Sequence, residues 1–315
     1  MIAIAMMMAA AAVPAGEEVT IAGPQGPLAG TYQASDKIGG PVVVIIPGSG
    51  PTDRDGNNPM GLKGQSYKLL AEALAARGVF SVRIDKRGMF GSAKAIPDAN
   101  AATIEGYAAD ARGWAQFAAK RAGAKCAWLV GHSEGGLVAL QAAQNPTGIC
   151  GVILVSAAGR PIIQVMRAQF KANAANAPIL PAALAMLDSV EAGKTVDPAT
   201  LPSPLPMIFP VAVQKYLIEL AKFDPAKLAA NVRLPMTIIQ GDNDLQVSVD
   251  DDAKPLAAAQ PKAKLVVLPG VNHVLKVVPA GDRAANAASY GDATLPIAPS
   301  VVDAVAAAVG GRGAR

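Results

Sequence analysis

Short apolar runs of strand length alternate along the chain with longer segments in which apolar residues recur at helical spacing. Val42 to Ile46, Phe80 to Ile84, Cys126 to Val130, Gly151 to Ser156, Met236 to Gln240 and Lys264 to Leu268 are runs of the kind a parallel sheet buries on both faces. Helices are expected between them, near Ser66 to Arg77, from Ile104 to Arg121 and from Gly136 through Gln144. The second of these carries its apolar positions at Ile104, Tyr107, Ala108, Ala111, Ala115 and Ala118. Gly78 is expected to close the first. Strands alternating with helices predict βαβ units, and so an α/β fold: a mostly parallel twisted sheet with helices on both faces. No internal repeat is visible.

From Arg160 to Lys222 the alternation stops. Helical stretches near Ile162 to Ala175, Pro181 to Ala192 and Val211 to Ala221 are separated by the proline-rich Pro198 to Pro210. Because strand signals resume at Met236, residues 160–222 read as a helical cap insertion between core segments 16–159 and 223–315. Met166, Phe170, Leu180, Met186, Met207, Phe209 and Tyr216 would either line an acyl pocket beneath the cap or form its own core. Asp224-Pro225 looks like a helix start, with aspartate as N-cap and proline at the first helical position. Ser300 to Val309 predicts a last helix before a Gly/Arg tail.

A chain of 315 residues can bury a large core, as one domain with an insertion or as two domains. The formal charge of +4 is dispersed, without a basic run or interleaved aromatics, so no nucleic-acid partner is inferred. Ile2 to Ala12 is apolar but too short to span a bilayer, and Val13-Pro14-Ala15 resembles the small-residue site before a signal-peptidase cut. Residues 1–15 therefore read as a secretory signal, which makes the expected location periplasmic or secreted, with no membrane attachment after processing. No Lys or Arg precedes the apolar run, and a buried or interfacial segment of a cytoplasmic enzyme is the alternative. The two cysteines, Cys126 and Cys150, each stand at the start of an apolar run. If those runs are neighbouring strands in matching register, a disulfide can form in an oxidising compartment; otherwise they are buried free thiols.

The chemistry concentrates at Gly131-His132-Ser133-Glu134-Gly135, between a strand signal and a helix signal. A G-x-S-x-G nucleophile elbow needs that context, because small flanking residues let the backbone turn sharply enough to lift a serine hydroxyl above the sheet edge. The chain holds two histidines, His132 and His273. His132 is on the turn itself, where its ring leaves in a direction unsuited to taking the Ser133 proton, so His273 is the expected base. It follows the strand signal at Lys264 to Leu268, at the carboxyl end where open parallel sheets place their chemistry. A carboxylate should orient its imidazole, and Gly241-Asp242-Asn243-Asp244 offers two. Asp244 is favoured, because Asp242 is expected to hydrogen-bond its own turn. The order Ser133, Asp244, His273 is the one expected of α/β-hydrolases. Oxyanion donors are expected at the backbone amides of Glu134 and of Ser49, with Gly50 as the alternative in Pro47-Gly48-Ser49-Gly50-Pro51. No metal or other cofactor is expected, since two distant histidines and no C-x-x-C pattern leave little to assemble.

Gly48 to Asn57, Asp85-Lys86-Arg87-Gly88 with Gly91-Ser92, Gly131 to Gly136, Gly241 to Val247 and Asn272-His273 together resemble a family of bacterial α/β-hydrolase carboxylesterases. The resemblance spans about residues 40 to 310. It implies the α/β-hydrolase fold, a Ser133, Asp244, His273 triad, and hydrolysis of short-chain acyl esters as the small-molecule substrate class. Met89-Phe90 is bulkier than the small residues expected between Gly88 and Gly91, which bears on local pocket shape. Arg54, Asp55 and the Asp85 to Arg87 loop are expected to form a hydrogen-bonded rim around the oxyanion loop, with Arg54 alternatively meeting a substrate carboxylate. A peptidase, a thioesterase or an acyltransferase would use the same triad; a non-catalytic binding protein on the same scaffold would usually have lost part of it.

Overall fold

The computed structural model describes residues 15–37 and 39–310; apart from Ala15, the segment read as a secretory signal lies outside the described residues. Eight strands form one sheet: β1 (Glu17–Ala22), β2 (Pro27–Gln33), β3 (Val42–Ile46), β4 (Phe80–Ile84), β5 (Ala127–His132), β6 (Ile149–Val155), β7 (Met236–Gly241) and β8 (Lys264–Leu268), in the order β1-β2-β4-β3-β5-β6-β7-β8. β4, β3 and β5 to β8 are mutually parallel, while β1 pairs antiparallel with β2 and β2 antiparallel with β4. The β1–β2 hairpin is an addition to the sequence reading, whose first strand was β3. Its polar positions are frequent, as befits an edge that water reaches.

Within each apolar run the side chains part to opposite faces at a period of two. Val42, Val44 and Ile46 join one core with Leu129, Leu154 and Ile238, whereas Val43 and Ile45 join the other with Val130, Ile153 and Ile239. Helices cover both layers. The second core is closed by α1 (Ser66–Ala75) and by the last helix, while α2 (Ile104–Ala122) and α3 (Glu134–Ala142) pack on the first. Thr103 caps α2 by accepting the Gly106 N–H at 3.0 Å. After α1, Gly78 at φ 81° lets its own N–H reach Ala75 O at 3.0 Å and the Val79 N–H reach Leu74 O at 3.1 Å, a Schellman ending.

Between β6 and β7 lie α4 (Ile162–Ala172), α5 (Leu180–Glu191), α6 (Leu205–Ile208), α7 (Val211–Leu220) and α8 (Pro225–Asn231). A short helix, α6, thus forms inside the segment read only as proline-rich. Met186 and Phe209 are buried there, with Met166, Phe170 and Tyr216 packed against the same core, while Met207 is 82% exposed. The chain continues through α9 (Lys254–Ala259), β8, α10 (Arg283–Ala288) and α11 (Pro299–Gly310). No helix among the described residues is long and apolar enough to cross a membrane.

Cys126 and Cys150 form a disulfide, with a Cα–Cα distance of 5.3 Å. They precede β5 and sit at the start of β6, where Ala127 faces Ile149 and Trp128 faces Gly151, leaving Cys150 as the extra residue of a local irregularity.

Candidate active site

Ser133 occupies the one-residue turn between β5 and α3 with φ 53° and ψ −122°, a conformation sparsely populated by residues with a side chain. Glycines make that turn possible by close approach. A Cβ on Gly131 would lie 2.2 Å from Gly135 O, and one on Gly135 would lie 2.3 Å from Ile46 O. The Ser133 N–H donates to Val155 O at 3.0 Å, which fixes the turn to the end of β6. Ser133 is also the residue at the N-cap of α3, so the positive end of the helix dipole faces whatever charge develops beside it.

His273 and Asp244 meet across the ends of β7 and β8. His273 Nδ1 lies 2.8 Å from Asp244 Oδ2, and both residues are buried. The rest of the carboxylate is fully engaged: Oδ1 accepts the N–H groups of Gln246 at 2.8 Å and Val247 at 3.0 Å, and Oδ2 also accepts Gln240 Nε2 at 3.1 Å. Burial alone would raise the Asp244 pKa; the charge and hydrogen bond of His273, with the Val247 and Gln246 amides, more than offset it and hold the group below its ordinary value. Asp242 is exposed and accepts the Gly270 N–H at 2.7 Å, bracing the next loop. The turn-forming role expected of Asp242 therefore falls on Asp244, which caps its own turn with one oxygen and holds the imidazole with the other.

Ser133 and His273 line a single cavity of about 530 Å³, together with Gly48, Ser49, Thr52 and His132. No hydrogen bond joins Ser133 Oγ to His273 Nε2 among the described residues; the two are brought together as walls of one cavity. The remaining wall comes from two segments the sequence reading did not assign. One is Asn58 to Leu62, and the other runs from Ala287 through Tyr290 to Gly291, with Val274 and Gln246 between them. Asx turns shape the first, since Asp53 Oδ1 accepts from Asp55 and Asn57, and Asn58 Oδ1 from Met60 and Leu62. Lys63 N donates to Tyr290 O at 2.9 Å, and Gln246 Nε2 to Tyr290 Oη at 2.8 Å, so the two walls are tied together.

No residue of 160–222 lines this cavity; of the two roles considered for the cap side chains, Met186 and Phe209 take that of core, and Met207 faces solvent. The block touches the rim where Gln169 of α4 donates to Gln246 O at 3.0 Å. Arg54 is likewise placed away from Ser133. Its guanidinium binds Asp85, Glu18, Gly30 O and Thr31, joining the loop after β3 to the β1–β2 hairpin as a brace. Arg87 pairs with Asp110 at 2.6 Å. Phe90 lines a separate polar cavity, so the bulky Met89-Phe90 pair leaves the Ser133 cavity untouched.

Three buried side chains support the site: His132 of the turn and Lys86 of the expected rim, both named from the sequence, and Tyr67, which the sequence reading missed. His132 Nε2 lies 2.8 Å from His273 O, and its Nδ1 lies 2.8 Å from Tyr67 Oη. Tyr67 Oη in turn accepts the Gly48 N–H at 3.0 Å. Since a carbonyl only accepts, Nε2 must carry the His132 proton and Nδ1 must accept from the tyrosine. Burial, helped by nearby His273, pushes the His132 pKa down to about 3, so the ring is neutral. Lys86 is the third. Its ammonium donates to Gly48 O at 2.7 Å and pairs with Glu134 Oε1 at 3.1 Å. For Tyr67, a tyrosine in the first turn of the helix after a glycine loop was the available signal.

A mostly parallel eight-stranded sheet with an antiparallel hairpin at one edge, helices on both faces and a serine on a strand-to-helix elbow defines a class, and the chain belongs to the alpha/beta hydrolase family, whose model matches residues 43–288. It is 26% identical over 244 residues to an esterase, EstD, of Thermotoga maritima. That match covers 75% of this chain and 54% of the relative, so the chain spans about half the length of that protein. Among solved structures, Est1E of Butyrivibrio proteoclasticus aligns with a TM-score of 0.54 at 15% identity, covering 93% of this chain and 100% of its own. A thermophilic esterase of Thermogutta terrifontis aligns with a TM-score of 0.52 at 18% identity, covering 83% and 92%. At these identities the two structures establish the fold.

Proposed function

We propose that the protein is a serine carboxylesterase that cleaves small, short-chain acyl esters through a covalent acyl-enzyme. The observation that carries this is the buried Asp244 carboxylate 2.8 Å from His273 Nδ1, on a histidine that shares a cavity with the elbow serine. With Nδ1 engaged, Nε2 is the ring nitrogen left to take the Ser133 proton as Oγ attacks the ester carbonyl. The Ser49 and Glu134 amides, which have no acceptor among the described residues, would receive the developing oxyanion. Gly48 is unsuited to that task because its N–H is taken by Tyr67. His273 then protonates the leaving alcohol and activates the water that releases the acid, while Asp244 stabilises the transient imidazolium.

The esterase name of the Thermotoga maritima relative favours esters over amides as substrates. A cavity of about 530 Å³ suits a small molecule. Residues 160–222 would act as a cap at the edge of the site. A disulfide between Cys126 and Cys150 is consistent with export to the periplasm or beyond, after removal of the N-terminal segment.

Hydrolysis of p-nitrophenyl acetate and butyrate, with an aminoacyl-anilide for comparison, tests the reading. Ser133→Ala should lower kcat by about 10⁴-fold or more, and Asp244→Asn by about 10³- to 10⁴-fold. Asp242→Asn should cost less than about tenfold, since it disturbs only a loop contact. Ester hydrolysis that survives in Ser133→Ala would remove the proposal.

A further inference from the structure

Lys86 is almost fully buried, yet no step of the mechanism proposed above uses it. Its side chain is 2% exposed and that of its partner Glu134 is 6% exposed. It holds Gly48 O at 2.7 Å and Glu134 Oε1 at 3.1 Å, and so joins the glycine loop after β3 to the first turn of α3. These two attachments bear on the two proposed oxyanion donors. Gly48 O and the Ser49 N–H belong to one trans peptide, in which carbonyl and amide point in opposite directions. Fastening the carbonyl onto the ammonium therefore turns the Ser49 N–H away from Lys86. Ser49 lines the cavity that holds Ser133.

The adjoining peptide is held as well, because the Gly48 N–H donates to Tyr67 Oη at 3.0 Å. A Cβ on Gly48 would lie 3.2 Å from the Ser133 Cβ, so the loop is packed directly on the elbow. The geometry points to Lys86 as a positioning residue of the oxyanion hole. It aims the Ser49 amide, polarises it through the shared peptide, and anchors the residue whose own amide is the second donor. It has no contact with substrate and transfers no proton. This assignment rests on the serine-esterase reading and adds the part that sets its transition-state affinity.

Removing Lys86 alone would strand a buried carboxylate and threaten the fold, so the informative protein is the double variant Lys86→Met/Glu134→Gln. It removes both charges and keeps the residue 134 amide. Its folding is checked by circular dichroism and thermal melting beside wild type. With p-nitrophenyl acetate, kcat is expected to fall about 10²-fold while KM stays within about threefold. Affinity for an alkyl boronic acid, which becomes an anionic tetrahedral adduct on serine, should weaken by the same factor, whereas affinity for the free carboxylic acid product should not. A lesion of general packing would weaken both ligands alike. A double variant with kcat within about twofold of wild type, or with equal losses for the two ligands, overturns the assignment. Should that variant fail to fold, Lys86→Met/Glu134→Met, which leaves no buried polar side chain unpaired at either position and keeps the residue 134 amide, is assayed with the same two ligands under the same criteria. The underlying reading fails separately, by ester hydrolysis that persists in Ser133→Ala.

Discussion

Histidine 132 is the residue whose sequence position says least about its work. Adjacent to the proposed nucleophile, it was expected only to be unsuited as base; it is instead a strut, bonded through one nitrogen to Tyr67 and through the other to His273 O. Tyr67 continues the strut to Gly48, so the glycine loop after β3, which holds a proposed oxyanion donor, and the loop of His273 are held in one hydrogen-bonded line. Its neutral state has a measurable cost. The folded pKa is pushed down to about 3, while an unfolded histidine titrates near its ordinary 6.5. Between those values the unfolded chain binds a proton that the folded protein refuses, and stability falls as pH drops through that window. The slope from this one site approaches about 1.4 kcal/mol per pH unit. Asp244, whose folded pKa is lowered, adds a further loss below the ordinary carboxylate range. His132→Asn should be less stable at pH 7, because it breaks the strut, yet its stability should change less between pH 6.5 and 4 than that of wild type. Urea titrations at four pH values would measure this, and parallel curves for the two proteins would mean that His132 is protonated in the fold.

Elements with strong periodicity were legible. The six parallel strands and the helices after β3, β4 and β5 follow from apolar runs and spacing, because a sheet buried on both faces leaves no polar interruption to confuse the pattern. The β1–β2 hairpin was not legible: Glu17 to Ala22 is half polar and pairs with β2, and it is β2 that joins the sheet, along the edge of β4. The disulfide was readable as one of two alternatives, since register between β5 and β6 decides whether two cysteines starting neighbouring runs can meet. It closes a loop with a separation of 24 residues, which includes all of α3. A cross-link of that span stabilises by about 3 kcal/mol in the chain-entropy account. Cys126→Ser/Cys150→Ser should therefore lose about 3 kcal/mol in urea unfolding, with esterase activity in native buffer little changed, because the bridge lies at the strand starts, opposite the site. A loss below about 1 kcal/mol would mean that β5–β6 pairing already restricts the unfolded chain.

On the scale of the whole molecule, the proposed triad was legible and the pocket was not, for one reason. The elbow, the acidic turn and the histidine loop each follow a strand, and strand ends in a parallel sheet converge on one side whatever the loops do. The pocket is instead made where loops meet, at Asn58 to Leu62 against the end of α10, and nothing in either segment's own pattern announces the other. Buried apolar side chains of residues 160–222, such as Met186 and Phe209, pack into the first core and leave this wall to the loops. Gly291 tests this relocated pocket. A Cβ there would stand 3.6 Å from Gly61 O and 3.9 Å from Ala288 O, ordinary contacts in an unstrained backbone, between two segments that line the cavity. Gly291→Leu should thus fold normally and narrow the space between the walls. Because the loss grows with the apolar surface a substrate can no longer bury, kcat/KM for p-nitrophenyl butyrate should fall about tenfold more than for the acetate, at about 0.8 kcal/mol for each methylene excluded. Met207→Ala, on the exposed side of the helical block, should leave that ratio unchanged. If the ratio moved with Met207 and not with Gly291, the acyl chain would be bound beneath the cap after all, and the cavity beside Ser133 would hold only the leaving alcohol.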